Sequence, residues 1–389
     1  MKIGKNIAVF LLVVAMSGGY GFAQSPSKVV EDFKPSSVNQ PGKDFPQVNS
    51  EGRVRVQISA PEAHKVQLDI SAVKYDLVKD EKGVWTGESA PQDEGFHYYQ
   101  LWVDGAAVPD PGSLYFFGAS RWGSGIEIPA KDQDFYAVKN VPHGQVIELP
   151  YFSKTNNAMR RCFIYTPPGY DKDTNKRYPV LYLQHGGGEN ETGWSSQGHA
   201  NLIMDNLIAE GKAKSFIIVM DNGTWAMTGP RSADRSAGTW PPKGWADGFM
   251  KTLLEDIIPM IDANYRTIAD QEHRAMAGLS MGGMQTRVIT LAHPEVFSHV
   301  GIFSGGSITM DDLANAPAFK EKNKLVFVSY GSRELENPRA GFGGNPKENQ
   351  DKLKEAGLNT HFYVSPQTAH EWQSWRRGLH EFAPLLFTK

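Results

Sequence analysis

The stretch His273-Arg-Ala-Met-Ala-Gly-Leu-Ser-Met-Gly-Gly-Met284 decides how the chain folds. It contains Gly278-Leu-Ser-Met-Gly282, a G-x-S-x-G pentapeptide. Mostly apolar, strand-like residues precede it, and a helix-like run from Gly283 to His293 follows. In that context Ser280 is expected on a sharp strand-to-helix turn. Its hydroxyl would stand above the sheet, and the Met281 amide would face whatever that oxygen attacks. The flanking glycines let neighbouring backbone pass without a Cβ clash. The helix N-terminus behind the serine favours developing negative charge. The pentapeptide alone also fits a Gly-rich packing turn, so reading Ser280 as a nucleophile depends on its partners.

Around this stretch, from about Pro142 onward, apolar runs alternate with amphipathic helices, the mark of an α/β sheet. Strand-like runs are Arg161 to Tyr165, Val180 to Gln184, Phe216 to Met220, Arg274 to Ala277, Val300 to Phe303, Leu325 to Tyr330 and Thr360 to Val364. Near-continuous apolar runs such as Val180 to Gln184 suit strands covered on both faces. Helices are expected over Ala200 to Glu210, Gly248 to Asn264 and Glu348 to Ala356. In the second of these, Met250, Leu253, Leu254, Ile257, Ile258 and Ile261 form a core stripe at three- and four-residue spacing.

A serine hydroxyl needs a base to take its proton and an acid to orient the base. In this fold class the chain order is Ser, acid, His. His361 lies within a strand pattern and His380 within a helix-like run, whereas His370 sits in a loop just after the last strand. That loop is where a base can reach a hydroxyl above the carboxyl end of the sheet, so His370 is the expected base. The acid should follow the Leu325 to Gly331 strand, where Glu334 and Glu336 are the carboxylates available. Glu334 is preferred, with Glu336 the alternative. The oxyanion hole needs two backbone donors. Met281 would supply one and the loop His185-Gly-Gly-Gly-Glu-Asn190 the other, with Gly187 preferred over Gly186. His185 precedes the serine and is read as bracing that loop.

The earlier part of the chain reads differently. Val54-Arg-Val-Gln-Ile58 and Val66-Gln-Leu-Asp-Ile70 alternate with period two, between turn signals such as Glu81-Lys-Gly83 and Val103-Asp-Gly105. Short strands at this spacing suggest an immunoglobulin-like β-sandwich. Trp85 and Trp102 are expected in its core, and Trp122 as an exposed ring or a cap on the interdomain surface. The expected organisation is a signal peptide over 1–23, a linker or loosely docked arm over 24–38, the sandwich over 39–141 and an α/β-hydrolase domain over 145–389.

The whole chain has 389 residues and a formal charge of −3, with no long basic run. These features argue against a phosphate-tracking nucleic-acid binder. Lys2 and Lys5 precede an apolar stretch from Ile7 to Met16, too short to span a bilayer, and small residues stand at Gly21 and Ala23. This is the pattern of a secretory signal cleaved after Ala23, hence a secreted or periplasmic protein. The sole cysteine, Cys162, cannot form an internal disulfide and is expected buried in a strand.

Two resemblances follow from longer sets of residues. Ser59-Ala-Pro-Glu-Ala-His-Lys-Val66, Gly83-Val-Trp85, Gly95-Phe-His-Tyr-Tyr99, Val103-Asp-Gly105 and Asp110-Pro111 resemble the early-set domains grouped with carbohydrate-binding module family 48. Tyr165-Thr-Pro-Pro-Gly-Tyr170, Tyr178-Pro-Val-Leu-Tyr-Leu-Gln-His-Gly-Gly187, Trp194, Ala277-Gly-Leu-Ser-Met-Gly-Gly283 and Thr368-Ala-His-Glu-Trp-Gln-Ser-Trp-Arg376 resemble carbohydrate esterase family 1. The second resemblance implies a serine esterase working through an acyl-enzyme without metal or organic cofactor. Its substrates would be feruloylated or acetylated xylan and arabinoxylan oligosaccharides. Acetylxylan and siderophore (enterochelin-type) esterases share the same triad, and a non-catalytic carbohydrate-binding protein is the third possibility. Glu334 departs from the Asp more usual in the family. Trp372, Trp194, Trp240 and Trp245 are the expected substrate-binding rings, the last two on a long loop, Asp221 to Trp245, that also carries Trp225; Trp194 could instead pack under the glycine loop. Oligomeric state is not encoded in any pattern found.

Overall fold

The computed structural model describes residues 29–224, 244–336 and 344–388. The signal-like segment therefore lies outside the described residues, as do Trp225 and Trp240. No helix among the described residues is long and apolar enough to cross a membrane.

The alternating N-terminal sequence folds into two antiparallel sheets packed face to face. One runs Lys34–Pro35, Gln47–Val48, Val54–Ser59, Val84–Glu88, Val78–Lys79. The other runs Tyr115–Gly118, Arg121–Ile128, Gly95–Val103, Val66–Ile70, Val73–Asp76, with Ala106–Val108 paired onto Gly95–Val103. Val54, Val56, Val66, Leu68, Leu101 and Ile126 are fully buried between them, while the intervening polar residues face out. Trp85 joins this core, its indole N–H donating to the Ala60 carbonyl at 2.9 Å. Trp102 does not. It follows buried Leu101, so strand alternation turns it to the outer face. There it is half-buried, donates to Asp69 Oδ2 at 2.9 Å and carries the Lys74 ammonium 3.5 Å above its ring.

The segment read as a linker or loosely docked arm is docked. Lys34–Pro35 pairs with Gln47–Val48 at the sheet edge, where proline's missing N–H is tolerated. Arg55 further fixes the segment through Glu31 at 2.9 Å and stacking on Phe33.

The second half builds an eight-stranded sheet. Its strands, in chain order, are β1 (Gln145–Ser153), β2 (Ala158–Thr166), β3 (Val180–Gln184), β4 (Ile217–Asp221), β5 (Arg274–Leu279), β6 (His299–Phe303), β7 (Leu325–Gly331) and β8 (Thr360–Ser365). They lie in the order β1-β2-β4-β3-β5-β6-β7-β8. The β1–β2 and β2–β4 pairs are antiparallel and the rest parallel. Every residue of β3, β4, β6 and β7 is buried, including Val180 to Leu183 at 0% exposure. Helices flank the sheet, among them α1 (Ala200–Ala209), α2 (Met281–Ala292) and α3 (Trp372–Phe382). Cys162 is buried in β2.

The helix expected from Gly248 to Asn264 contains a π-helical turn over Leu253–Ile257. Pro259 follows it; lacking an N–H and crowding the carbonyl four residues back, it widens the helix there. Leu253, Ile257 and Ile261 all remain on the buried face.

The sandwich and the α/β domain share a continuous apolar seam. Phe96 and Phe116 of the sandwich belong to the same buried cluster as Trp194, Trp372 and Phe303. At its centre Arg376 of α3, with no exposed surface, pairs with Glu127 at 2.6 and 3.0 Å, donates to the Gln197 carbonyl and stacks on Tyr136. Burial alone would raise the Glu127 carboxyl, but the charge and hydrogen bonds of Arg376 outweigh it and hold it below its ordinary value. Removing one partner of such a pair leaves a buried charge uncompensated. We expect Glu127→Gln to lower unfolding stability by about 3 kcal/mol, read as a shift of the urea midpoint. A loss under about 1 kcal/mol would show that the charge of Arg376 is met elsewhere.

Candidate active site

The start of α2 lies so close to the ends of β5 and β3 that two positions admit no side chain. A Cβ on Gly278 would lie 2.4 Å from the Gly282 carbonyl carbon, and one on Gly282 would lie 2.6 Å from the His185 oxygen. Between them Ser280 adopts φ 49°, ψ −112°. A non-glycine residue there costs on the order of 1–3 kcal/mol and persists only where its surroundings enforce it. Here the Ser280 N–H is tied to the Phe303 carbonyl at 2.8 Å.

Ser280 Oγ stands 2.9 Å from His370 Nε2, and His370 Nδ1 stands 2.8 Å from Glu334 Oε2. With a carboxylate at Nδ1, that nitrogen carries the proton and donates it. Nε2 is then left to accept from the serine hydroxyl. Glu334 lies in the first turn of a short helix, Ser332–Leu335, that begins where β7 ends. Its other oxygen accepts from Ser304 Oγ at 2.7 Å and from the Gly331 N–H at 2.9 Å. Burial would raise this carboxyl, but the His370 hydrogen bond and charge, then Ser304 and Gly331, bring it below its usual value. Glu336, at the end of the same short helix, is exposed. The His370 ring rests edge-on against Trp375, whose indole N–H donates to Ser304. His361 instead stacks on Phe327, and His380 packs on Phe135.

The glycine loop after β3 lies against the same serine. Gly186 N–H donates to Glu189 Oε2 at 3.1 Å. Among the described residues Gly187 N–H has no partner, and a Cβ on Gly187 would meet only Met281, at 3.9 Å. Met281 is the first residue of α2, and its N–H lacks an intrahelical acceptor. Buried His185 accepts from the Gly223 N–H at Nε2, so its Nδ1–H donates to the Gly186 carbonyl.

Glu189 and Tyr98 escaped the sequence reading. Tyr98, on a sandwich strand, reaches Glu189 Oε1 at 3.3 Å and is itself met by Gln197 Nε2 at 2.6 Å and by the Trp372 indole at 3.2 Å. Burial pushes the Glu189 carboxyl up to about 7. An acid at the end of a glycine loop was a visible signal for Glu189. Tyr98 gave none, because it belongs to a different fold unit. Among the described residues no group of three or more His, Cys, Asp or Glu side chains could hold a metal ion.

The expected substrate rings need correction. Trp194 is 1% and Trp372 2% exposed, packed edge to face with each other. Trp194 lies under the glycine loop and donates to the Gln184 carbonyl at 2.8 Å. Trp372 begins α3 and packs in the apolar seam with the sandwich, while also lining a cleft beside His370. Trp245 is half-buried in the turn before the Asp247–Thr252 helix, and Trp240 lies outside the described residues.

The Esterase family model matches residues 153–385. An endo-1,4-beta-xylanase/feruloyl esterase of Xylanibacter ruminicola is 45% identical over 373 residues, which cover 94% of this chain and 49% of that protein. The chain thus spans about half the length of this curated relative. A CE1 ferulic acid esterase from Anaeromyces mucronatus, solved with ferulic acid, superposes with TM-score 0.54 at 23% identity, over 66% of this chain and 96% of its own. An enterobactin esterase from Shigella flexneri, solved in the presence of enterobactin, superposes with TM-score 0.61 at 16% identity, over 86% and 92%. These two structures share the α/β-hydrolase fold, and the second covers most of both halves of the chain. With more than half its length matched, the chain belongs to the esterase family of carboxylic ester hydrolases.

Proposed function

We propose that this protein is an exported serine esterase that removes hydroxycinnamoyl (feruloyl) groups from plant cell-wall xylan through an acyl-enzyme. The observation that carries this reading is the unbroken hydrogen-bonded chain Ser280–His370–Glu334, beside two unpartnered amides. The acyl group is inferred from the feruloyl esterase relative that aligns with nearly the whole chain. Export is inferred from the charged, apolar and small-residue order that precedes Gln24.

In this mechanism His370 Nε2 takes the Ser280 proton as Oγ attacks the ester carbonyl. The amides of Gly187 and Met281 receive the oxyanion, and each such donor is typically worth on the order of 10²-fold or more in rate. Glu334 fixes the imidazole tautomer and stabilises the imidazolium. His370 then protonates the leaving alcohol oxygen. Next it takes a proton from water, whose oxygen attacks the acyl-enzyme, and returns that proton to Oγ as the acid leaves.

Release of ferulate and acetate from feruloylated, acetylated arabinoxylan oligosaccharides tests the reading. Wild type should release ferulate, and Ser280→Ala should lose about 10⁴-fold or more of that rate. Acetate release without ferulate would reassign the acyl group. Inertness of folded protein toward a chromogenic acetate would favour a non-catalytic binding protein.

The acid is tested by comparing two carboxylates. Glu334→Gln should cut kcat by about 10²- to 10⁴-fold, because Gln cannot hold the imidazolium. Glu336→Gln should stay within about twofold, as expected of an exposed charge. The reverse ranking would move the role to Glu336.

Glu189 is proposed as a positioning residue that holds the Gly186 amide and so leaves Gly187 to face the oxyanion. Glu189→Ala should lower kcat about tenfold, the worth of one buried hydrogen bond, with KM little changed. A rise in KM at constant kcat would contradict this role.

A further inference from the structure

Phe303, Ser304 and Gly305, where β6 ends, touch both ends of the proposed catalytic chain. The Phe303 carbonyl holds the Ser280 N–H at 2.8 Å, and Ser304 Oγ stands 2.7 Å from Glu334 Oε1. Gly305 packs so closely on α2 that a Cβ there would lie 2.6 Å from the Gly283 Cα and 2.8 Å from the Ser280 carbonyl oxygen. From this geometry we infer that Ser304, aimed by the Trp375 indole, is a positioning residue that fixes the long glutamate side chain in place as the triad acid. The inference rests on the esterase reading above.

The groups present leave one arrangement of protons. An indole N–H can only donate, and Trp375 Nε1 gives its proton to Ser304 Oγ at 3.0 Å. An ionised carboxylate can only accept, so the hydroxyl proton of Ser304 goes to Glu334 Oε1. The Gly331 N–H meets the same oxygen at 2.9 Å. Oε1 is therefore anchored twice, and Oε2 is left for His370 Nδ1. The path closes on itself at Trp375, whose ring packs edge-on against His370 with centroids 5.1 Å apart.

Glutamate needs this anchor more than aspartate would. Its extra methylene adds a torsion that must be frozen before the carboxylate can hold the imidazole in one orientation. Two bonds to one oxygen freeze it. Burial strengthens them: Ser304 and Trp375 are 7% and 5% exposed, so water competes little for these groups.

The backbone of Ser304 points to the same role. It lies in the left-handed region at φ 50°, at the end of the strand beside the one that ends in Ser280, itself at φ 49°. A glycine would take this conformation without strain. The serine is held there by its N–H on the Ser329 carbonyl at 2.8 Å, and strained backbone of this kind clusters at functional sites. What serine adds over glycine at this position is the hydroxyl, and the hydroxyl goes to Glu334.

The test measures methyl ferulate hydrolysis by wild type, Ser304→Gly, Ser304→Ala, Trp375→Phe and Glu334→Gln, singly and in pairs. Ser304→Gly relieves the backbone and removes the hydroxyl. It should lower kcat about tenfold, as for a hydrogen bond to a charged group, with KM within about twofold. Ser304→Ala keeps the backbone strain and should lose as much; a gap between the two of more than about threefold would assign the effect to the backbone and overturn the role. Trp375→Phe keeps a ring against His370 and removes the N–H. It should lower kcat about threefold alone and under about twofold when added to Ser304→Gly. Ser304→Gly should likewise add under about twofold to the loss from Glu334→Gln, because it acts through that carboxylate. Losses that multiply in full, or a raised KM at unchanged kcat, would overturn the role. A spectroscopic readout is independent of turnover: the low-field proton resonance of His370 Nδ1–H should shift or broaden in Ser304→Gly and in Trp375→Phe. An unmoved resonance would also overturn it. If wild type hydrolyses no ester but the resonance moves, the esterase reading fails while the positioning of the Glu334–His370 pair by Ser304 stands.

Discussion

The structure turns on a backbone contact. Where β5 ends and α2 begins, the chain passes within a distance that no Cβ survives at Gly278 or Gly282. That contact lets the helix start directly above the carboxyl ends of β3 and β5, with Ser280 at the top of the turn. A larger residue at Gly278 would push the helix away from β5, and one at Gly282 would push it away from β3, carrying the Met281 amide with it. The hydroxyl at 2.9 Å from His370, the free amide beside it and the glycine loop across from it all depend on that one close approach.

A second constraint joins the two halves of the molecule. Arg376 is buried between them and is neutralised by a sandwich carboxylate rather than by its own domain. Breaking such a pair is costly, whereas its net contribution over an apolar substitute is small. Its consequence is therefore orientation more than stability. It fixes α3, whose first residues follow directly on His370, against the sandwich strand that ends at Ile128. Asp132 with Arg377 at 2.6 Å and Asp93 with Arg333 add charged contacts along the same seam.

Much of this was legible from the chain. The pentapeptide, the loop histidine and the carboxylate after β7 are local features whose chemistry depends on turn type and chain order, and the structure brings Ser280, His370 and Glu334 within hydrogen-bonding distance. The alternating strands were legible for the same reason. The aromatic rings were only partly legible. Trp194 and Trp372 flank functional loops in sequence, but their rings fill the seam below, and composition cannot tell a ring facing substrate from one supporting the floor. Trp102 was misplaced because a strand pattern says which residues alternate and not which face is covered. Lys34–Pro35 looked like linker because a two-residue edge strand has no periodicity to read. Tyr98 could not be found at all, since its partner Glu189 lies 91 residues away in another domain.

The glycine loop shows why that second domain matters to the chemistry. Three consecutive glycines let an amide turn inward without steric cost, yet they also give the loop the largest conformational entropy of any tripeptide. The oxyanion role proposed for Gly187 needs an amide already in place when charge develops, so the freedom must be removed from outside the glycines. The structure removes it on three sides. Trp194 supports the strand end from below, and Glu189 folds back onto Gly186. The sandwich supplies the third, through Ser120 on the Gly188 carbonyl and Tyr98 on Glu189. A catalytic domain with the sandwich stripped away would keep its serine, histidine and acid but would lose that third restraint. The sandwich is then a structural part of the proposed active site.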